Sequence, residues 1–397
     1  MSYISQLAKK ISPSPTLAID ARFKEMQANG VPVIGFGTGE PDFGTPENIK
    51  NAAIGALHAE ITKYTPASGT LDLKKAICTK LKKDNNIDYT PVEIVVSNGA
   101  KHSLTNIFMA ICDSGDEVII PAPYWVSYPE MVKMAGGVSV FVPTIEADGF
   151  KFKPSELEKY ITPKTRAIVL NSPSNPTGMI YSREELEQIA EIAVKHNIYV
   201  ISDEVYEKLV YEGEHISIAS LGGAVKDLTI TVNGLSKTYA MTGWRIGYTA
   251  SNKELATAMG NIQSHGTSNP NSIAQSAGVE ALLGDQSIID TMKAEYVKRR
   301  NYMFDKINSI DGISCIKPNG AFYVMMNVAK LLGREFYGKT INTAEELCEH
   351  ILEKANVALV SSEGFGIGGY ARLSYATSME NIINGLDRIE KYIKGEC

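Results

Sequence analysis

Residues 166–202 read RAIVLNSPSNPTGMIYSREELEQIAEIAVKHNIYVIS, and two periodicities within them decide the fold. RAIVLN (166–171) and NIYVIS (197–202) are short, nearly continuous apolar runs, which predicts strands buried on both faces. Between them Ser182 and Glu185 have the spacing of a capping box. Leu186, Ile189, Ala190, Ala193 and Val194 then recur at helical spacing. The segment is therefore a strand–helix–strand unit of the kind that builds a parallel sheet.

The same alternation runs outward in both directions. Further strands are expected at EIVVSN (93–98), DEVIIP (116–121), VSVFVP (138–143), LTITVN (228–233) and RIGYTA (245–250). The expected fold class is α/β: a large domain with a mostly parallel seven-stranded sheet flanked by helices, plus a smaller α+β domain. The last hundred residues change character. A charged helical stretch (286–308) precedes ISCIKPNGAFYVMMNV (313–328), which reads as a hairpin. Thr343 with Glu346 caps a helix through Lys354, and Thr377 with Glu380 caps the final one. The N-terminal stretch, with SPSP and the turn-rich GTGEPDFGTPE (37–47), is too short to be a domain. It is expected to cross between lobes or pack on a partner subunit. The divisions are residues 1–45, 46–285 and 286–397.

Composition narrows the function. A net charge of -6 and a pI near 5.7 argue against a nucleic-acid backbone as the main partner, which needs a basic face. No apolar stretch approaches the ~20 residues that span a bilayer. The start, MSYISQLAKK, lacks the apolar core of a signal peptide. Five dispersed cysteines with no C-x-x-C pair read as reduced thiols in a cytoplasmic protein.

Chemistry-bearing residues gather at the predicted strand ends. In 37–47, Thr45 is expected at an N-cap with Pro46 at N1. SNGAKHSL (97–104) is a strand, Gly99-Ala100, then a helix start where backbone N–H groups can meet a phosphate. It is not G-x-G-x-x-G, which leaves a dinucleotide site without support. NSPSNPTG (171–178) is an irregular loop that aims Asn175 into the crevice at a strand end. Asp203, in D-E-V-Y, ends a buried strand, where a carboxylate is costly unless it meets a cation. VNGLSKTYAMTGWRIGY (232–248) sets Lys237 in a small-residue turn with Arg245 eight residues on. Alone, each of these also reads as ordinary structure: a plain turn, a capping Asp, a solvated Lys. Together they are what a pyridoxal phosphate site requires: an amine for the aldehyde, a carboxylate for the ring nitrogen, and a cradle with an arginine for the phosphate.

The combination of NPTG, D-E-V-Y, S-K-x-Y-A-M-T-G-W-R-I-G and A-R-L-S-Y-A resembles the fold-type I pyridoxal phosphate enzymes of the class I aminotransferases, over essentially the whole chain. Within them it is most similar to the bacterial aspartate and aspartate/prephenate aminotransferase branch. The resemblance implies that Lys237 is the Schiff-base lysine and proton shuttle, that Asp203 pairs with the pyridinium nitrogen, and that Tyr206 and Asn175 bond the ring oxygen. It implies that Trp125, in PAPYWVSY, stacks on the ring, and that Gly99, Ala100, Ser236 and Arg245 surround the phosphate. Tyr64, in KYTPASG, would reach the phosphate of a neighbouring subunit, which makes a homodimer with shared sites. Arg372 would grip the substrate α-carboxylate as a fork, with Gly39, Trp125 and Asn175 beside it. Lys101, Ser14 and Thr16 would hold a distal carboxylate, which points to L-aspartate and 2-oxoglutarate as the substrate pair. His102, Tyr239 and Trp244 read as structural.

Two departures stand out. The family commonly has a Pro-Gly turn before its carboxylate arginine, where this chain has VSSEGFGIGGYARLS (360–374). Prephenate-active members carry a basic residue where this chain has Ser12, so prephenate is expected to be a weak acceptor. The competing readings are an aminotransferase for prephenate or aromatic substrates, a β-lyase on the same fold, and a regulator that senses pyridoxal phosphate. The last would need a basic helix-turn-helix module ahead of the domain, for which the sequence leaves no room.

Overall fold

A computed structural model describes residues 3–37 and 39–397. Its main sheet has seven strands. In chain order they are β2 (Ile94–Ser97), β3 (Glu117–Ala122), β4 (Val138–Pro143), β5 (Thr165–Asn171), β6 (Tyr199–Asp203), β7 (Thr229–Gly234) and β8 (Gly247–Ala250), after a two-residue strand β1 (Ile34–Gly35). The spatial order is β2-β8-β7-β6-β5-β3-β4. Only β8 runs against its neighbours; the other adjacent pairs are parallel.

The continuous apolar runs have the predicted cause. Along β5, Ile168 and Leu170 enter one core with Leu186, Ile189, Ala190 and Ala193 of the helix Arg183–His196. Ala167 and Val169 enter another with Leu104, Ile107 and Phe108 of the helix Ala100–Ile111. Successive side chains point to opposite faces, so both faces need apolar residues when helices cover both. The Ser182–Glu185 capping box is present.

The C-terminal part forms a three-stranded antiparallel sheet. Its strands are β9 (Tyr323–Asn327), then, beyond the small hairpin β10 (Glu335–Phe336) and β11 (Lys339–Thr340) and the strand β12 (Val357–Ala358), β13 (Val360–Ser361) and β14 (Tyr370–Ser374). The order is β13-β14-β9. Its core joins the helices Ser287–Ser309, Ala344–Ala355 and Met379–Lys394 through Met303, Leu347, Ile351, Leu386 and Ile389. The N-terminal stretch adds the helix Pro15–Ala28 and β1, which pairs in parallel with β12.

Several local expectations are corrected. Residues 313–328 are not a hairpin. β9 pairs with β14, and Ser314 makes only an isolated bridge to Asn327. The intervening residues instead cross to the main lobe, where Ala321 N–H donates to the Leu209 carbonyl. Arg245 lies outside β8, at φ 58°, closing the short turn Thr242–Trp244. The final helix is capped by Ser378, whose hydroxyl accepts from Asn381 N–H, and not by Thr377. No helix among the described residues is long and apolar enough to cross a membrane.

Candidate active site

The parallel strands end along one edge, and the chain leaves each of them carrying polar groups. Asn171 ends β5 beside Asp203 at the end of β6. Gly234 ends β7, with Lys237 three residues on. Because β8 is antiparallel, its first residue, Gly247, sits opposite both Ser97 and Gly234. Arg245 therefore returns to the edge that Lys237 left. Gly99 and Gly247 allow the last approach. A Cβ on Gly99 would collide with the Arg245 guanidinium, and one on Gly247 with the backbone of Gly99 and Ala100. The first N–H groups of the helix Ala100–Ile111, which have no partner within the helix, thus lie beside a guanidinium.

A cleft of about 450 Å³ opens at this edge. Ser14, Thr16, Gly39, Ala100, Lys101, Trp125, Asn175, Asp203, Tyr206, Ser236, Lys237, Arg245 and Arg372 all line it. Gly99 stands just behind Arg245. Tyr64 is the exception: it is 91% exposed and apart from the cleft of its own chain.

Asp203 is buried, and its Oδ2 accepts a hydrogen bond of 2.5 Å from the Tyr128 hydroxyl. Burial raises its pKa to about 6, against the opposing pull of that bond. Its neighbour Glu204 turns away, into a separate network with Ser202, Ser217 and His215. Lys237 donates from Nζ to the Gly39 carbonyl. Burial lowers its amine to about 8; Glu40 opposes this, while Arg372 and Arg245 reinforce it. The Tyr206 hydroxyl meets that of Tyr323 at 2.9 Å. Trp125 packs edge-to-face on Tyr128, with the Lys101 ammonium 5.0 Å from its ring centroid.

Arg372 lies on β14 and is 2% exposed. Nη1 donates to Asn175 Oδ1 at 3.0 Å and Nη2 to the Gly37 carbonyl at 2.7 Å, while Nε has no partner. Two other arginines are also buried, and each has a carboxylate: Arg299 holds Asp42 and Arg300 holds Glu212. Among the described residues Arg372 has none. The glycine-rich stretch before it turns at Gly366 and Gly369, both at φ 82°, where Gly costs least.

Thr45 does not cap the helix Glu47–His58, whose N-cap is Pro46. Its hydroxyl donates to the Ala240 carbonyl and accepts from Trp244 Nε1, which braces the turn after Lys237. His102 accepts from Asn98 N–H through Nδ1 and does not line the cleft. Reasoning from sequence missed Tyr128, Tyr323, Glu40, Asp20 and Lys24, which also line the cleft. Tyr128 had a readable signal, since it follows Trp125 by three residues on a turn. The others had none.

The donor set fits a phosphorylated carbonyl cofactor. A glycine-lined cradle with a guanidinium suits its phosphate, and a buried carboxylate suits a cationic ring nitrogen. An amine kept partly neutral by burial, facing such a group, is the equipment of a pyridoxal phosphate enzyme. The chain belongs to the family described as aminotransferase class I and II, whose model matches residues 31–389. It is 46% identical to an aspartate aminotransferase of Bacillus sp. (strain YM-2), over 98% of this chain and 99% of that protein. It is 46% identical to an aspartate/prephenate aminotransferase of Nitrosomonas europaea, over 97% of this chain and 98% of that one. The solved aspartate aminotransferase of Thermus thermophilus with maleate superposes with a TM-score of 0.94 at 41% identity, covering 99% and 100% of the two chains.

Proposed function

We propose that this chain is an aspartate aminotransferase that moves the amino group of L-aspartate to 2-oxoglutarate, as a cytoplasmic homodimer. The observation that carries the substrate assignment is the charge of the cleft. In a chain of net charge -6, the cleft is lined by five basic side chains and three acidic ones. Four of the five, Lys101, Lys237, Arg245 and Arg372, have no carboxylate partner within 4.0 Å among the described residues. Arg372 is buried, and a buried cation left unpaired is costly, so its missing counterion belongs to a ligand. Lys101 and Arg245, exposed at the mouth of the cleft, add unpaired positive charge that favours an anionic one. Arg245 with Gly99, Ala100 and Ser236 answers a phosphate. Arg372, with its free Nε, answers an α-carboxylate, and Lys101 with Ser14 and Thr16 answers a second one.

Pyridoxal phosphate supplies an aldehyde that takes up the amino group and a ring that accepts electrons. Lys237 supplies the amine that holds the cofactor and moves the substrate's α-proton, and burial keeps that amine partly neutral near pH 8. Asp203 would pair with the ring nitrogen and favour its protonated form, and Tyr128 fixes the carboxylate's direction by donating to Oδ2. Asn175 and Tyr206 would steady the ring oxygen, Trp125 would cover the ring face, and Gly39 would let backbone approach the substrate carboxylate; all four line the cleft. Tyr64 of the partner subunit completes the phosphate site; its 91% exposure in one chain supports a role at an interface. All five cysteines are free, which agrees with a reducing compartment. Ser12 offers no cation for a prephenate carboxylate.

A stopped-flow screen of the holoenzyme against aspartate, glutamate, alanine, phenylalanine, cystathionine and arogenate tests this reading. Aspartate and glutamate should convert the cofactor spectrum fastest. Lys101→Ser should lower aspartate's rate about ten- to hundred-fold, the size of one charge-assisted contact, and spare alanine. Equal loss on every donor would assign Lys101 to the cofactor or the fold. Pyruvate released from cystathionine would expose a lyase, and a preference for prephenate over oxaloacetate as acceptor would overturn the reading of Ser12.

A further inference from the structure

The three-stranded sheet that carries Arg372 touches the main lobe along one face. Tyr370, Arg372 and Ser374 alternate with their neighbours and share that face. Their cross-strand partners are Asn327, Met325 and Tyr323. Three hydrogen-bonded anchors follow. At one end Tyr323 meets Tyr206 at 2.9 Å. In the middle Arg372 meets Asn175 at 3.0 Å. At the far end Glu146 Oε2, in the short turn Glu146–Asp148 of the main lobe, accepts from Asn327 Nδ2 at 2.7 Å and from the Tyr370 hydroxyl at 3.1 Å. Phe150 adds an edge-to-face contact to the Tyr370 ring at 5.3 Å.

The anchors differ in kind. Tyr206, Tyr323, Asn175 and Arg372 line the cleft and are the groups that a bound substrate and cofactor engage. Glu146, Asn327 and Tyr370 are not among its lining residues. Of the three side-chain anchors theirs is the one outside the cleft, alongside backbone bonds such as those from Ala321 N–H to the Leu209 carbonyl and from Tyr124 N–H to the Phe365 carbonyl. It grips a directly opposed cross-strand pair two residues along β14 from Arg372, roughly 7 Å at the rise of a strand. We infer that Glu146, with Tyr370 and Asn327, is a positioning device that holds this end of the sheet against the main lobe and so helps to set the place of the Arg372 guanidinium relative to Lys237. This rests on the reading of Arg372 as the carboxylate site. Positioning matters because an error near 1 Å in a binding group costs up to about a hundred-fold in rate.

The test is the dissociation constant of maleate, a dicarboxylate without an amino group, measured by calorimetry on holoenzyme beside the steady-state constants for aspartate. Glu146→Ala should weaken maleate about ten-fold and raise the KM for aspartate by a similar factor, with kcat within about two-fold and cofactor affinity unchanged. Glu146→Gln should stay within about two-fold of wild type, because its carboxamide oxygen can accept both bonds. Tyr370→Phe, which loses one bond and keeps the ring, should fall between them. Wild-type maleate binding in Glu146→Ala and Tyr370→Phe, no rescue by Gln, or loss of cofactor in step with maleate would each overturn the inference. Arg372→Lys separates the two readings. If it weakens maleate while Glu146→Ala does not, only the positioning role fails. If it binds maleate like wild type, the carboxylate assignment fails and this inference with it.

Discussion

Asp203→Asn should make the cofactor-free protein more stable and the enzyme nearly inert. The carboxyl is 4% exposed, with one strong donor, the Tyr128 hydroxyl, and a long contact from Val205 N–H. Its pKa is about 6 in the folded chain against an ordinary 3.8. At about 1.36 kcal/mol per pH unit, ionising it in place costs about 3 kcal/mol more than in the unfolded chain. The folded state thus binds more protons than the unfolded state between pH 3.8 and about 6, so this group's contribution to stability falls as pH rises through that window. Above about pH 6 the full penalty is present. Asparagine carries no charge to desolvate and still offers an oxygen to Tyr128.

The variant's advantage should therefore be near zero at pH 4 and reach roughly 2–4 kcal/mol at pH 7.5. Urea unfolding of the cofactor-free forms at several pH values measures it. Because a two-lobed chain need not unfold in one step, the decisive quantity is how the difference in midpoints changes with pH. Turnover of the reconstituted variant should drop about 10²–10⁴-fold, the scale of a lost electrostatic contribution. A variant no more stable than wild type at pH 7.5, or a gain undiminished at pH 4, would refute the argument that this carboxylate is held ionised at the fold's expense. Near-normal single-turnover rates would refute its role at the ring nitrogen.

Two further outcomes are expected. Lys237→Ala should bind pyridoxal phosphate without turnover and leave no borohydride-reducible adduct on the protein; a labelled peptide containing another lysine would end that assignment. If sites are shared between subunits, mixing Tyr64→Phe with Lys237→Ala protein should restore activity, because each hybrid dimer has one doubly damaged site and one intact site. An active monomer in sedimentation would refute the dimer.

What could be read from the sequence was what local chemistry dictates. The central strands of the main sheet, such as β5 and β6, were legible because burial on both faces makes their runs nearly continuously apolar; β4 at the edge was legible from its Val and Phe content although Val138 and Phe141 are exposed. Asp203 was legible because a carboxylate at the end of such a strand needs a reason to be there. What escaped depends on partners distant in the chain. The run around Tyr323–Asn327 looked like half of a hairpin, but its partner is Tyr370–Ser374, beyond a whole helix. Thr45 looked like a cap because Pro46 follows it, yet its hydroxyl serves Ala240 and Trp244. Nothing around Glu146 marks it, since both of its donors come from the other end of the chain.

Arg245 shows why a near miss in the strand pattern mattered for the site. RIGYTA has the apolar content of a strand throughout, and a strand from Arg245 would fix that side chain to one face of the sheet. The chain instead spends Arg245 in a left-handed turn and begins pairing at Gly247. Direction then does the rest. Strand β8 spans four residues, so a parallel β8 would leave its first residue roughly 10–13 Å away, at the opposite edge of the sheet. Running antiparallel between β2 and β7, it delivers Arg245 to the edge where Lys237, Asp203 and the helix at Ala100 already lie. A single reversed strand in an otherwise parallel sheet is thus what brings the lysine and the arginine of one short segment to the same cleft.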